Sequence, residues 1–394
     1  MKILYVSETY EPDHGGMPTL IRNFTQGLAG QGHDVRLWTR GDRNISYQES
    51  QGKVRLYRQR SKPYPLNKGH RVTTDCRHGL EAIMQSWQPD VIHVHIFPSP
   101  ITAAAIRYGH AHNIPIVITN HAMPENYRNL VTFRLPSGAE KILFYFGWRY
   151  LVSICNQATL VSSPTPTALS YLVKAGLKRP GHAISNGIDT NYYVPAPAKP
   201  ELLAKYKLKP DVPIVLYLGR LDGEKVIEDI VNAAPKITEP YQLVITGKGN
   251  NEVMLKSLTR KLKLQKTVTF TGPVDEATKL ALYQAASIFT IASPAELQSI
   301  VTLEAMSCSL PIVAVAAGAL TELCLPEQNG LLFKPHDSVE LAGHLSRLLA
   351  DPATSKAFGQ ASRQLVQDHH SMTKTISSYE DLYRDAIAEV TPNR

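Results

Sequence analysis

The chain has 394 residues, of which 43% are hydrophobic and 19% charged, and a formal net charge of +8. These values exclude a disordered chain, and the length accommodates two domains with full cores. No apolar run reaches the roughly 18 residues of a spanning helix. The four cysteines, Cys76, Cys155, Cys308 and Cys324, lie far apart without CxxC spacing, which points to reduced cytosolic thiols and not to a disulfide set or a zinc site.

The chain opens on MKILYVSETY, which reads as a strand with a polar end and not as a secretion signal. Further strands are predicted at 33–39, 54–58, 90–95, 115–120, 158–163 and 182–185, with helices at 17–30, 99–112, 139–156 and 165–175. Strands alternating with helices predict a parallel, doubly wound sheet. A segment rich in Pro, Gly and Asn, SNGIDTNYYVPAPAKPE (185–201), interrupts the pattern, which then restarts. PIVLYLG (213–219), QLVITG (242–247), TVTFTG (267–272), IFTIA (288–292) and PIVAVA (311–316) read as five more strands, and the chain beyond about 352 as polar helix. The fold class is therefore α/β, with two Rossmann-like domains over residues 1–188 and 189–370. Residues 371–394 form a helix expected to pack back on the first domain. In such sheets ligands sit at the carboxyl ends of strands, so two facing sheets suit a transfer between two molecules.

The charge is uneven: residues 1–190 carry a balance of +9 and residues 191–394 one of −1. One basic stretch runs from Lys53 to Arg71. A second, at 127–150, interleaves Arg128, Arg134, Lys141 and Arg149 with Phe133, Phe144, Phe146, Trp148 and Tyr150. Cations among aromatics suit an anionic membrane surface, worth roughly 1 kcal/mol per nearby cation. A buried helix with solvated lysines fits the same residues, and both readings stand open here.

Glu296 and Glu304 bracket seven residues in SPAELQSIVTLEAM (293–306). On a helix they would lie about 80° apart, so a loop followed by a helix is the better reading. Glu296 then sits on the loop, Glu304 within the helix, and the helix N-terminal amides between them suit a phosphate. Three more features fall at strand ends of the second half. LGRLDGEK (218–225) offers Arg220 and Lys225 to neutralise a diphosphate. TGKGN (246–250) brings Gly247 and Gly249, which permit close backbone approach. TGPV (271–274), with Pro273, is placed to present backbone groups to a base.

Taken in this order, the motifs resemble those of the family 4 retaining glycosyltransferases, which have the GT-B fold. The resemblance extends to the glycine turn HGGM (14–17), the NGID linker (186–189) and nearly the whole chain. It implies that Arg220, after Gly219, and Lys225 bind the donor pyrophosphate, that Glu304 holds the ribose hydroxyls and that Glu296 holds a hexose hydroxyl. Leu297, Gln298, Ser299 and Ile300 would touch sugar and phosphate, while Gly15 and Gly16 approach the diphosphate from the opposite wall. His121 matches the family's histidine beside the anomeric centre. Together with Glu296, Arg220 and Lys225 it makes the expected catalytic set. His93 and His95 alternate on one strand and are expected to line the cleft.

The resemblance implies front-face transfer with retention, no resident metal and no cofactor beyond a UDP- or GDP-linked sugar as substrate. Two departures stand out: ELQS replaces a Gly-Phe-Gly-like run after the first glutamate, and AAGALTELC (316–324) replaces a double-glycine turn. With NHAMPENY (120–127), these are similar to members that glycosylate diacylglycerol or related lipids. The expected partners are a nucleotide sugar, a lipid or glycan acceptor and an anionic membrane surface, on the cytoplasmic side of the cell membrane, with no nucleic acid. Two alternatives belong to other classes. A nucleotide-sugar binding protein without turnover is disfavoured by the intact charged set, and a dinucleotide oxidoreductase by the lack of G-x-G-x-x-G after the first strand.

Overall fold

The computed structural model describes residues 1–13, 16–64, 67–96, 98–125 and 137–390. Its chain divides into two compact units, Met1–Gly187 with Met372–Arg394, and Ile188–Ser371.

The strands of the first unit are β1 (Lys2–Ser7), β2 (Asp34–Arg40), β3 (Tyr47–Gln51), β4 (Val54–Gln59), β5 (Ser61–Tyr64), β6 (Asn67–Thr73), β7 (Val91–His95), β8 (Ile116–Thr119), β9 (Leu160–Ser163) and β10 (Gly181–Ala183). Eight of them form a sheet in the order β10-β9-β8-β7-β1-β2-β4-β3, while β5 and β6 pair as a separate antiparallel ribbon. Every neighbour pair in the large sheet is parallel except β3 with β4. Its central strands β7 and β8 are buried from end to end, as strands covered on both faces should be. The chain leaves β1 toward β2 and β4 and then returns to β7 on the other side. The strand order therefore reverses between β1 and β7, which is where open α/β sheets bind ligands.

Helix Met372–Val390 belongs to this unit and buries Ile376, Tyr379, Leu382 and Tyr383 in a core shared with Ile21, Phe24 and Leu28. Gly27 makes the contact between helices close, since a Cβ there would stand 2.3 Å from Ile376.

The second unit holds β11 (Ile214–Leu218), β12 (Gln242–Thr246), β13 (Val268–Gly272), β14 (Ile288–Ile291), β15 (Ile312–Val315) and β16 (Gly330–Phe333), in the order β13-β12-β11-β14-β15-β16. All its pairs are parallel, and the order reverses between β11 and β14. The sequence reading misses β16, β3, β5 and β6. The strand β3, YQESQ, is a mostly exposed polar edge and carries no apolar alternation to reveal it. Among the described residues no helix is long and apolar enough to cross a membrane.

Candidate active site

In the second unit the predicted donor residues gather at the carboxyl edge of the sheet, around the reversal point. β11 ends at Leu218, and Gly219 turns the chain with φ 156°. Arg220 follows; its guanidinium bonds Asp222 at 2.5 Å and Glu224. Asp222 also accepts from the amide of Asn250 at 2.9 Å, so Arg220 is held at the rim with a 55% exposed side chain. A short 3-10 turn, Gly223–Lys225, then aims Lys225 across the reversal point to Glu296, Nζ to Oε1 2.7 Å, both side chains 14% exposed. Val226 sits just beyond in the left-handed region, φ 48° and ψ 41°, a strained conformation for a β-branched residue.

Glu296 lies on the loop after β14, and helix Ile300–Ser307 begins behind it with Ser299 as N-cap, accepting from the amide of Thr302. The glutamates thus stand as their spacing predicts, one on a loop and one on a helix. Leu297, Gln298 and Ser299 are buried beneath the loop and Ile300 is half-buried.

Glu304 is 3% exposed. Lys279 donates to its Oε1 at 2.8 Å and Tyr193 at 2.9 Å, and Tyr283 donates to Oε2 at 2.9 Å. Burial pushes its carboxyl above the usual range, and Lys279 pulls it back. Burial lowers Lys279 in turn, but Glu304 and Glu276 outweigh it and leave the ammonium above its ordinary value. Sequence spacing gives no sign of this clamp, because Tyr193, Lys279 and Tyr283 come from segments remote from residue 304. The glycines have an intramolecular job. A Cβ on Gly247 would stand 1.9 Å from the Gly219 carbonyl, and one on Gly249 2.4 Å from the Leu221 backbone, so they let two loops pack together. Gly272, with φ 70°, turns the chain into exposed Pro273.

In the first unit His121 follows β8, half-buried, its ring stacked on His95 with centroids 4.6 Å apart and planes at 16°. Its Nε2 is buried without a partner, and burial lowers its pKa to about 3, so the imidazole is neutral. His93 is fully buried and does not line a surface. Its Nδ1 meets the Tyr383 hydroxyl and its Nε2 the Thr119 hydroxyl, both at 2.6 Å. Sequence reasoning also misses Glu8, which follows β1, is 6% exposed and has a buried Oε2 without a partner.

Gly16, exposed, opens helix Gly16–Gly30 in the first unit; Gly15 lies outside the described residues. So do Arg128, Phe133 and Arg134 of the basic aromatic stretch. Helix Ser137–Cys155 carries the rest of it. Lys141, Ile142, Tyr145, Phe146, Arg149 and Tyr150 are exposed along one side, and Ile142, Tyr145, Phe146 and Tyr150 are 58–63% exposed. Trp148 turns the other way, donating to Glu125 at 3.0 Å and packing against the core. Much of the 53–71 stretch serves the fold: Arg58 is buried against Glu49 at 2.7 Å, and Arg71 bonds Ser61. All four cysteines are buried free thiols.

Two family models match, "Glycosyl transferases group 1" over residues 198–365 and "Glycosyltransferase Family 4" over 14–192. The chain is 27% identical over 386 residues to a glycogen synthase of Mycobacterium tuberculosis, covering 92% of this chain and 90% of that one. It is 26% identical over 402 residues to the alpha-monoglucosyldiacylglycerol synthase of Acholeplasma laidlawii, 98% of each being covered. A solved sucrose-phosphate synthase from Thermosynechococcus elongatus superposes with a TM-score of 0.79 at 24% identity, covering 98% of this chain and 99% of that one. With its two parallel-sheet units and its charged cluster at the reversal point of the second, the chain belongs to the group 1, family 4 glycosyltransferases and has the GT-B fold.

Proposed function

We propose that this glycosyltransferase is a retaining hexosyltransferase that takes its sugar from a UDP- or GDP-linked donor. The observation that carries the reading is the Lys225–Glu296 pair at the reversal point of the second sheet, with Arg220 beside it and the N-terminus of helix Ile300–Ser307 behind. An ammonium and a guanidinium at this edge neutralise a diphosphate as it leaves, and a carboxylate beside them accepts from a hexose hydroxyl. Glu304, already among three donors, accepts from the ribose hydroxyls when that clamp opens. The departing phosphate takes the acceptor's proton and neutral His121 orients the sugar, so the protein supplies charge and position. On this reading no resident metal is needed, and activity persists in excess chelator. The test is a panel of nucleotide sugars scored for release of the nucleoside diphosphate. If Glu304→Ala retained full transfer from every donor, the donor site would be misassigned.

The acceptor, on this proposal, is a lipid or envelope glycan at the cytoplasmic face of a membrane. The exposed side of helix Ser137–Cys155 supports it, because Ile142, Tyr145, Phe146 and Tyr150 are exposed alongside Lys141 and Arg149. Similarity to the diacylglycerol-modifying synthase adds support. Sedimentation with anionic vesicles tests it: no binding, and no transfer to any lipid, would end the lipid reading while leaving the donor reading intact.

A further inference from the structure

Helices Cys76–Met84 and Pro100–Ala111 cover one face of the first unit's sheet. Their Leu80 and Ala104 pack with Leu4, Val6, Ile92 and Val94, whereas helices Gly16–Gly30 and Met372–Val390 pack with Ile3, Tyr5 and Val91, the alternate side chains of the same strands. Between the first two helices lies a cavity of about 600 Å³. Small-ligand sites fall in the same range, roughly 300–1,000 Å³.

The walls of the cavity follow from helical spacing. Arg77, Leu80, Glu81 and Met84 fall at i, i+3, i+4 and i+7 on one helix, and Ala104, Arg107, Tyr108 and Ala111 repeat the pattern on the other. Each stripe runs about 10 Å along its axis, a length that suits an extended alkyl chain. Alanine at both ends of the second stripe leaves unfilled the space that two longer side chains would take. The floor is apolar: Leu80, Met84 and Ala104 are 2%, 7% and 6% exposed.

The rim is polar and its charge is unbalanced. Arg77 is paired with Glu81 at 2.9 Å. Burial and then Glu81 raise the Tyr108 hydroxyl above its ordinary value, which sets these two side chains near each other across the helices. Tyr108 stacks in turn on His112, with centroids 4.1 Å apart. Arg107 is exposed and has no hydrogen bond or ion pair among the described residues. One guanidinium is therefore left over above an apolar floor. Arg107 stands eight residues past the Ser99 N-cap, about 12 Å along the helix from the carboxyl edge of the sheet.

We propose that this cavity binds a single-chain anionic amphiphile of the fatty-acid type, with its carboxylate on Arg107 and its alkyl chain over Leu80, Met84 and Ala104. A guanidinium meets a carboxylate with two parallel hydrogen bonds. The three floor side chains offer no hydrogen bond to a sugar ring, so the ligand is of a different class from a sugar donor or a glycan. The proposal does not depend on the transferase reading, and its test needs no turnover.

The experiment is calorimetric titration of the full chain with decanoate, decanol and inorganic phosphate, each below any micellar concentration. Decanoate should saturate at one equivalent and bind about tenfold more tightly than decanol, and phosphate should give no binding heat. Arg107→Gln should weaken decanoate about tenfold and leave decanol unchanged. Ala111→Phe, at an exposed position, should fill the cavity and weaken both about tenfold or more. Melting curves establish that both variants fold. Wild-type protein that binds no decanoate, or binds decanol or phosphate as tightly, overturns the proposal. Decanoate affinity left unchanged by either variant also overturns it.

Discussion

Lys225 and Glu296 form an ion pair at 2.7 Å across the reversal point of the second sheet, 71 residues apart in sequence. On the proposed reading one edge serves two ends of a donor, with the ammonium for the phosphates and the carboxylate for the sugar. Each holds the other in place.

That division predicts unequal effects. Lys225→Ala should weaken binding of a free nucleoside diphosphate and lower kcat/KM by roughly 10²–10³-fold. Glu296→Ala should lower turnover comparably but leave nucleoside diphosphate binding unchanged or tighter, since it releases Lys225. Calorimetry of both variants checks this, and equal weakening would contradict the split of roles.

Glu304 and Lys279 form a buried pair with side chains 4% and 12% exposed. Glu304→Gln leaves the ammonium, among the described residues, with Glu276 as its charged partner, whose side chain is 47% exposed, and should cost about 3 kcal/mol in urea denaturation. Adding Lys279→Met should recover part of that loss. Strict additivity of the two substitutions would show that the pair is not coupled.

Glu8 gives a pH dependence of definite sign. Its pKa rises from 4.5 to about 7 on folding through burial, so between those values the folded chain keeps a proton that the unfolded chain releases. Stability therefore falls as pH rises through this window, by up to about 3 kcal/mol, and stays low above it. Glu8→Gln lacks that loss. The stability advantage of the variant over wild type should grow between about pH 5 and pH 8 in denaturant melts; a constant difference would contradict the assignment.

The histidines of the first unit act in the opposite direction. Burial holds His93, His95 and His121 below their ordinary value. As pH falls below 6.5 the unfolded chain takes up protons that the folded one refuses, and stability is lost. Tyr383→Phe leaves His93 Nδ1 without its 2.6 Å partner and should cost about 1–3 kcal/mol at neutral pH. Thermal melts from neutral to acid pH read both effects.

On helix Ser137–Cys155, Phe146→Asp and Ile142→Asp place charge on an outward side that contacts no core. Both should abolish sedimentation with anionic vesicles while changing stability by less than about 0.5 kcal/mol. Retained vesicle binding in the double variant would remove this helix from the membrane account.

The placement of the charged residues in the second unit was legible where it depends on local spacing. A loop glutamate, a helix glutamate eight residues on, and cations after the first strand of a sheet are local facts, and the structure sets Lys225 against Glu296 and Arg220 beside them. What escaped depends on tertiary contact. Tyr193 reads as a linker tyrosine until its hydroxyl is found on Glu304. Glu8 reads as the polar end of a strand until its oxygen is found buried and alone. His93 and His95 share a face of β7 as alternation predicts, with rings 5.0 Å apart, but only the packing of helix Met372–Val390 shows that His93 is sealed beneath Tyr379 and Tyr383. Trp148 likewise sat among the basic aromatics by sequence, and the hydrogen bond to Glu125 is what turns it inward.

The most direct test of the central claim is an NMR time course of wild-type protein with a panel of UDP- and GDP-linked hexoses and a glycolipid acceptor. The account predicts release of the nucleoside diphosphate from at least one α-linked donor, with the first-formed product also α-linked. A β-linked first product would contradict retention, and intact donors throughout would contradict the transferase reading itself.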